Sequence, residues 1–112
     1  MGLFDGVLGG IVGGEMATVV NGLIERHGGV QGIVSQLRSQ GFGPTVDSWI
    51  QEGPNAKIAP QDVHKAFGEQ TLNELAAKHG MSTQELEQKL AEVLPHAMDA
   101  LTPEGSVPDS PA

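Results

Sequence analysis

Apolar residues recur at helical intervals along most of the chain, and no window alternates apolar and polar positions as a half-buried strand does. Leu3, Phe4, Val7, Leu8, Ile11 and Val12 come in pairs four residues apart, with Gly2, Gly6, Gly9, Gly10, Gly13 and Gly14 before, between and after them. The same step continues through Met16, Val19, Val20, Leu23 and Ile24. A step of four overshoots a 3.6-residue turn by about 40°, so one straight helix would carry this stripe most of the way around itself. A break at Gly13-Gly14 is the simpler solution. It predicts a short segment at 3–10 and a helix at 15–27 that Gly28-Gly29 ends. Each internal glycine costs a helix about 0.5–1 kcal/mol relative to alanine, so the first segment needs a surface to lie on.

Val30, Ile33, Val34 and Leu37 mark a helix at 30–39, with Arg38 placed favourably near its C-terminus. After the turn Gly41-Phe42-Gly43, Pro44 opens a short helix at 44–51, with Val46, Trp49 and Ile50 inward and Asp47 in its first turn. Gly53-Pro54-Asn55 ends it, and Ile58 plugs inward from the loop. Pro60 starts a helix at 60–67 with Val63 and Phe67 inward, although Ala59 is a poor N-cap. Leu72, Leu75, Ala76 and His79 predict a helix at 69–79 stopped by Gly80. Ser82 and Glu85 then form a capping-box pair. The helix that follows carries Leu86, Leu90, Val93, Leu94, Ala97, Met98 and Leu101 on one side, and Pro95 predicts a kink or break at Leu94. Residues 102–112 hold three prolines and little to bury, which reads as a loose tail. The chain is therefore expected to be all-α, with one helical domain over 1–101, a Gly-rich apolar start at 1–14 and a flexible tail at 102–112. Its core is expected around Trp49, with Ile50, Phe67, Leu75, Leu86 and Leu90.

A chain of 112 residues is one domain at most, and 38% apolar content leaves the core little to spare. The absence of cysteine excludes disulfides and thiolate chemistry, in keeping with a reducing cytoplasm. A formal charge of -8 favours solubility and repels phosphate backbones and anionic lipid. No apolar run approaches the ~20 residues that span a bilayer. The apolar start lacks a basic region and carries Asp5, which makes it a poor signal peptide.

The sharpest local pattern is 75–90, where Ala76, Gly80, Met81, Leu86 and Leu90 stand as in a helix-turn-helix. A second helix that enters DNA needs cationic or amide side chains flanked by phosphate contacts. Here the outward positions are Thr83, Gln84, Glu85, Glu87 and Gln88, and between Gln70 and Leu94 two lysines face four glutamates. His27, His64, His79 and His96 have no histidine partner at i+3 or i+4, and no acidic stretch spaces its oxygens as a calcium loop does, so no metal or other cofactor is expected. No serine lies in a nucleophile elbow, and the glycine doublets lack the Lys-Ser/Thr of a phosphate loop. Ser48 beside Asp47 reads as a capping arrangement, and the chain reads as no enzyme. The remaining oddity is the N-terminal stripe. Leu3, Phe4, Val7, Leu8 and Ile11 form a candidate interaction surface that packs on its own domain, on a second copy or partner, or on a membrane.

The order of these features resembles the YidB-like family of small bacterial proteins. The resemblance rests on Met1-Gly2-Leu3-Phe4-Asp5, Gly28-Gly29-Val30, Gly41-Phe42-Gly43, Ser48-Trp49-Ile50, Gly53-Pro54-Asn55 with Ile58, Ala66-Phe67-Gly68, Gly80-Met81-Ser82, Leu94-Pro95 and Leu101-Thr102-Pro103-Glu104-Gly105. Ala59 and Phe67 depart from the family's usual serine and leucine, which touches packing at one helix start only. The resemblance implies an all-helical fold with a homeodomain-like part and a domain of unknown function, with no catalytic or binding residues to carry over. The expected function is a cytoplasmic, non-enzymatic module for protein interaction or self-association, its partner unknown. Nucleic-acid binding through the helix pair at 69–94 and peripheral membrane attachment through 1–12 are the alternatives.

Overall fold

The computed structural model describes residues 13–51 and 54–102. The candidate surface formed by Leu3, Phe4, Val7, Leu8 and Ile11, and the tail from Pro103 onward, lie outside the described residues. Among the described residues there are α-helices and no strand: α1 (Gly14–Arg26), α2 (Val30–Ser39), α3 (Gly43–Ile50), α4 (Pro60–Phe67), α5 (Glu69–Lys78) and α6 (Thr83–Leu101).

The helix stops follow one device used three times. At the end of α5 the Gly80 amide donates to Ala77 O and the Met81 amide donates to Ala76 O. That pair of bonds needs a left-handed residue between them, and Gly80 supplies it at φ 69°. Gly28 and Gly29 close α1 on Glu25 and Ile24 in the same way, and Gly41 and Phe42 close α2 on Arg38 and Leu37. At the start of α6, Ser82 Oγ accepts from the Glu85 amide at 3.1 Å. At the start of α4 only the reciprocal half of such a box exists. Asp62 Oδ2 accepts from the Ala59 amide at 3.5 Å, and the Ala59 methyl has nothing to return.

α6 is the element on which the others are laid: it packs against α1, α3, α4 and α5. Leu86, Leu90, Leu94, Ala97 and Met98 are fully buried along it. Trp49 of α3 is likewise fully enclosed, and Ile50, Phe67 and Leu75 are buried. α5 and α6 form the helix-turn-helix-like pair, with Ala76 buried at their junction and Met81 packed on the core.

Four local expectations are corrected. The sequence allowed a kink or a break at Leu94, and the break does not occur: α6 continues through Pro95 as one helix. A helix-interior proline costs about 3 kcal/mol because it cannot donate to the carbonyl four residues back. Leu86, Leu90 and Leu94 before it and Ala97, Met98 and Leu101 after it are all buried in the same core. Each buried aliphatic side chain is worth about 1.5–3 kcal/mol, so keeping one continuous helix wins. α3 begins at Gly43, which puts Asp47 beyond its first turn, where it pairs with Arg38 Nη2 at 2.6 Å. Ser48 caps no helix start; it ties down the loop described below. Thr102, assigned to the tail by the sequence, closes α6: it is buried, and its hydroxyl donates to Met98 O at 2.8 Å. No helix among the described residues is long and apolar enough to cross a membrane.

Candidate functional site

The loop after α3 is held by its backbone. Trp49 Nε1 donates to Ala56 O at 2.7 Å, and Ser48 Oγ accepts from the Ala56 amide at 2.8 Å while donating to Thr45 O at 2.6 Å. Ile58, two residues on, is buried in the core. These anchors hold residues 54–59 beside the flank of α6 without closing onto it. Between loop and helix lies a groove of about 610 Å³. Pockets that take ligands typically span about 300–1,000 Å³.

One wall is the loop and the start of α4, with Asn55, Ala56, Lys57, Ile58 and Pro60; the other is α6, with Gln88, Ala91, Glu92, Pro95 and His96. Asn55 reaches across the groove's end. Its Nδ2 donates to Pro95 O at 3.4 Å, while its Oδ1 is buried and accepts no hydrogen bond. Lys57 and Glu92 face the groove from opposite walls, and among the described residues neither forms an ion pair or hydrogen bond. His96 is exposed at the rim.

A second, polar cleft of about 310 Å³ lies on the exposed side of the helix-turn-helix-like pair, lined by His64, Glu69, Asn73, Thr83, Gln84 and Glu87. His64 Nδ1 and Glu87 Oε2 are 2.6 Å apart, which ties α4 to α6. A carboxylate that orients an imidazole is half of a general-base arrangement. The nearby hydroxyl is committed elsewhere, since Thr83 Oγ1 donates to Asn73 Oδ1. Among the described residues no three His, Cys, Asp or Glu side chains gather as a metal site would require.

The two arginines serve as struts. Arg26 Nη1 meets Glu74 Oε1 at 2.7 Å between α1 and α5, and Arg38 joins α2 to α3 through Asp47. The hydrogen bond from Arg26 holds the Glu74 carboxyl below the usual glutamate range, helped by Gln70. His27, at the end of α1, donates from Nδ1 to Leu23 O at 2.9 Å and meets the Phe67 ring edge-on. It too is structural.

Of the residues singled out from the sequence, Trp49, Ile50, Phe67, Leu75, Leu86 and Leu90 are buried, at 7% exposure or less, and none lines the groove. The groove residues carry no catalytic or ligand-binding motif. The hints available were Pro95 within a helical stripe and the Pro54-Asn55 loop that sits opposite it.

Comparison with known proteins covers nearly the whole chain. The family model described as YidB-like protein matches residues 1–110. The uncharacterized protein YidB of Escherichia coli (strain K12) is 33% identical over 111 residues, covering 96% of this chain and 83% of that one. Among solved structures, the chain is similar to a homeodomain-like protein of unknown function, S4005, from Shigella flexneri. That match has a TM-score of 0.76 and 30% identity, and it covers 94% of this chain and 85% of the other.

Proposed function

The chain belongs to the YidB-like family, and from that premise we propose that it is a non-enzymatic module for protein interaction or self-association. The observation that carries this reading is the open groove between the 54–59 loop and α6. Its walls are largely aliphatic, and its charged groups stand apart. Such a surface recognises; it does not place an acid and a base within the roughly 3 Å that proton transfer requires. His96 and Glu92 share the groove without a hydrogen bond between them, which supports the same reading.

The homeodomain-like shape favours a second reading, binding of nucleic acid by the α5–α6 pair. Charge weighs against it. The outward residues of α6 include Gln84, Glu85, Gln88 and Glu92, and carboxylates beside phosphates repel. A mobility shift at low salt that persists with unrelated competitor protein would restore that reading.

The interaction reading is tested by multi-angle light scattering and native pull-down on three chains: full length, Ala91→Arg, and one lacking residues 1–12. Circular dichroism checks that each is folded. The expected result is an oligomer or a specific partner that at least one variant loses. A strict monomer whose co-purifying proteins are the same in all three overturns it.

A further inference from the structure

We propose that the groove receives residues 1–12 of a second copy of this chain, the two copies exchanging these segments to form a closed dimer. This rests on the interaction reading and names its partner and both contact surfaces.

Segment and groove complement each other in shape class and in charge. Leu3, Phe4, Val7 and Leu8 recur at helical spacing with glycine between the pairs, so large apolar side chains can press closely on a neighbouring surface. Ile58, Pro60, Ala91 and Pro95 give the groove aliphatic walls, and His96 adds a ring at the rim. Asp5 is the one charged side chain in residues 1–12. Lys57 stands in the groove wall without an ion partner among the described residues. Two copies with a formal charge of -8 repel, so they meet where charge is balanced. The groove meets that condition, because Lys57 and Glu92 offset each other across it, and so does the segment, with a single carboxylate among apolar residues.

The path of the chain favours a second copy over contact within one copy. α1, which follows the segment, packs against α2, α5 and α6, and none of its residues lines the groove, whose other wall is the 54–59 loop and the start of α4. Gly13 and Gly14 are exposed, and a Cβ built on either meets no atom within 4 Å, so the start of α1 stands clear of the domain. When each copy gives one segment and takes one, both grooves are filled and the pair closes about a two-fold axis.

The chain has no cysteine, so Gly2→Cys carries a single nitroxide in the full chain. Spin-labelled copies without isotope are mixed with isotope-labelled parent copies, and the broadening of amide signals is read. Broadening strongest at Ala56, Lys57, Ala91 and Glu92 is expected. Sedimentation equilibrium of the parent should show monomer and dimer and no larger species. Phe4→Asp and Ala91→Arg should each raise the dissociation constant about tenfold or more, as loss of a central apolar contact does. Mixed together, these two variants should pair more tightly than either does with itself, since one keeps its groove and the other its segment. Asp5→Lys or Lys57→Glu alone should weaken pairing roughly two- to fivefold, and the two in one chain should restore it. A strict monomer at roughly 1 mM, or a dimer unmoved by both Phe4→Asp and Ala91→Arg, overturns the proposal. So does broadening centred away from the groove, or broadening at the groove only when label and isotope sit on the same copy. A strict monomer that still holds another protein defeats this assignment and leaves the broader interaction reading standing, whereas one that holds none defeats both.

Discussion

Adding one methyl group at Gly32 should destabilise the protein, although the position is helical. Gly32 lies in the first turn of α2, just after the tight connection from α1. A Cβ built there overlaps the His27 carbonyl, oxygen and carbon both, and approaches His27 Cβ to 3.2 Å. The obstacle is backbone, so no rotamer change relieves it. The α1–α2 connection must open, which strains the bonds from Gly32 and Ile33 to Gly29 O, at 3.0 and 3.2 Å, and from Gly29 to Ile24 O at 2.9 Å. Losing two such bonds costs about 1–3 kcal/mol and overpacking another 1–3, against a helical gain of up to about 1 for replacing glycine. The net expectation for Gly32→Ala is a loss of about 1–6 kcal/mol, a large part of the ~5–15 kcal/mol that holds a typical domain. At about 4 °C per kcal/mol the melting point falls by roughly 4–24 °C. Gly22→Ala is the matched control. Its Cβ would lie 3.5 Å from Leu75 Cδ2, an ordinary contact, so the same change should stabilise by about 0.5–1 kcal/mol. Urea denaturation followed by far-ultraviolet circular dichroism measures both. If the Gly32→Ala midpoint equals or exceeds that of the parent, the steric argument is wrong.

Three further outcomes are expected. Ser82→Ala removes the acceptor for the Glu85 amide and should cost about 1 kcal/mol in the same denaturation assay. Trp49→Phe leaves the Ala56 carbonyl without its indole donor and shrinks a fully buried side chain. Stability should fall by about 2–3 kcal/mol, and amides at 55–58 should exchange hydrogen faster than the rest of the chain. Glu74 should titrate below the ordinary glutamate range in the folded protein, and Arg26→Gln should bring it back. A depressed carboxyl favours the folded state above the unfolded value, and that contribution disappears as pH falls through the folded one. A carbon-detected carboxyl titration of both proteins reads this directly, and equal midpoints would refute the assigned cause.

What the sequence revealed and what it hid divide along one physical line. Gly28, Gly41 and Gly80 stop helices by bonds that reach only five residues back, so local reading found those ends. The stripes through Trp49, Leu75, Leu86 and Leu90 announced a core because periodicity is a local property too. Pro95 left a break open because its cost is local while the burial of Leu94, Ala97 and Met98 that outweighs it is not. Ser48 misled for the same reason: its partner is Ala56, eight residues away, in a loop with no regular pattern. The groove was invisible for a stronger reason. It exists only where Asn55 and Ile58 come to face Ala91 and Pro95, residues more than thirty positions apart.

The position of α6 in the chain has a consequence for biosynthesis. Four helices made earlier lean on it, yet it is the last described element to leave the ribosome. Until Leu101 clears the exit tunnel, Trp49 and the helices around it have no lid. A nascent chain stalled short of that point should be digested readily by added protease, whereas one extended well past it should resist.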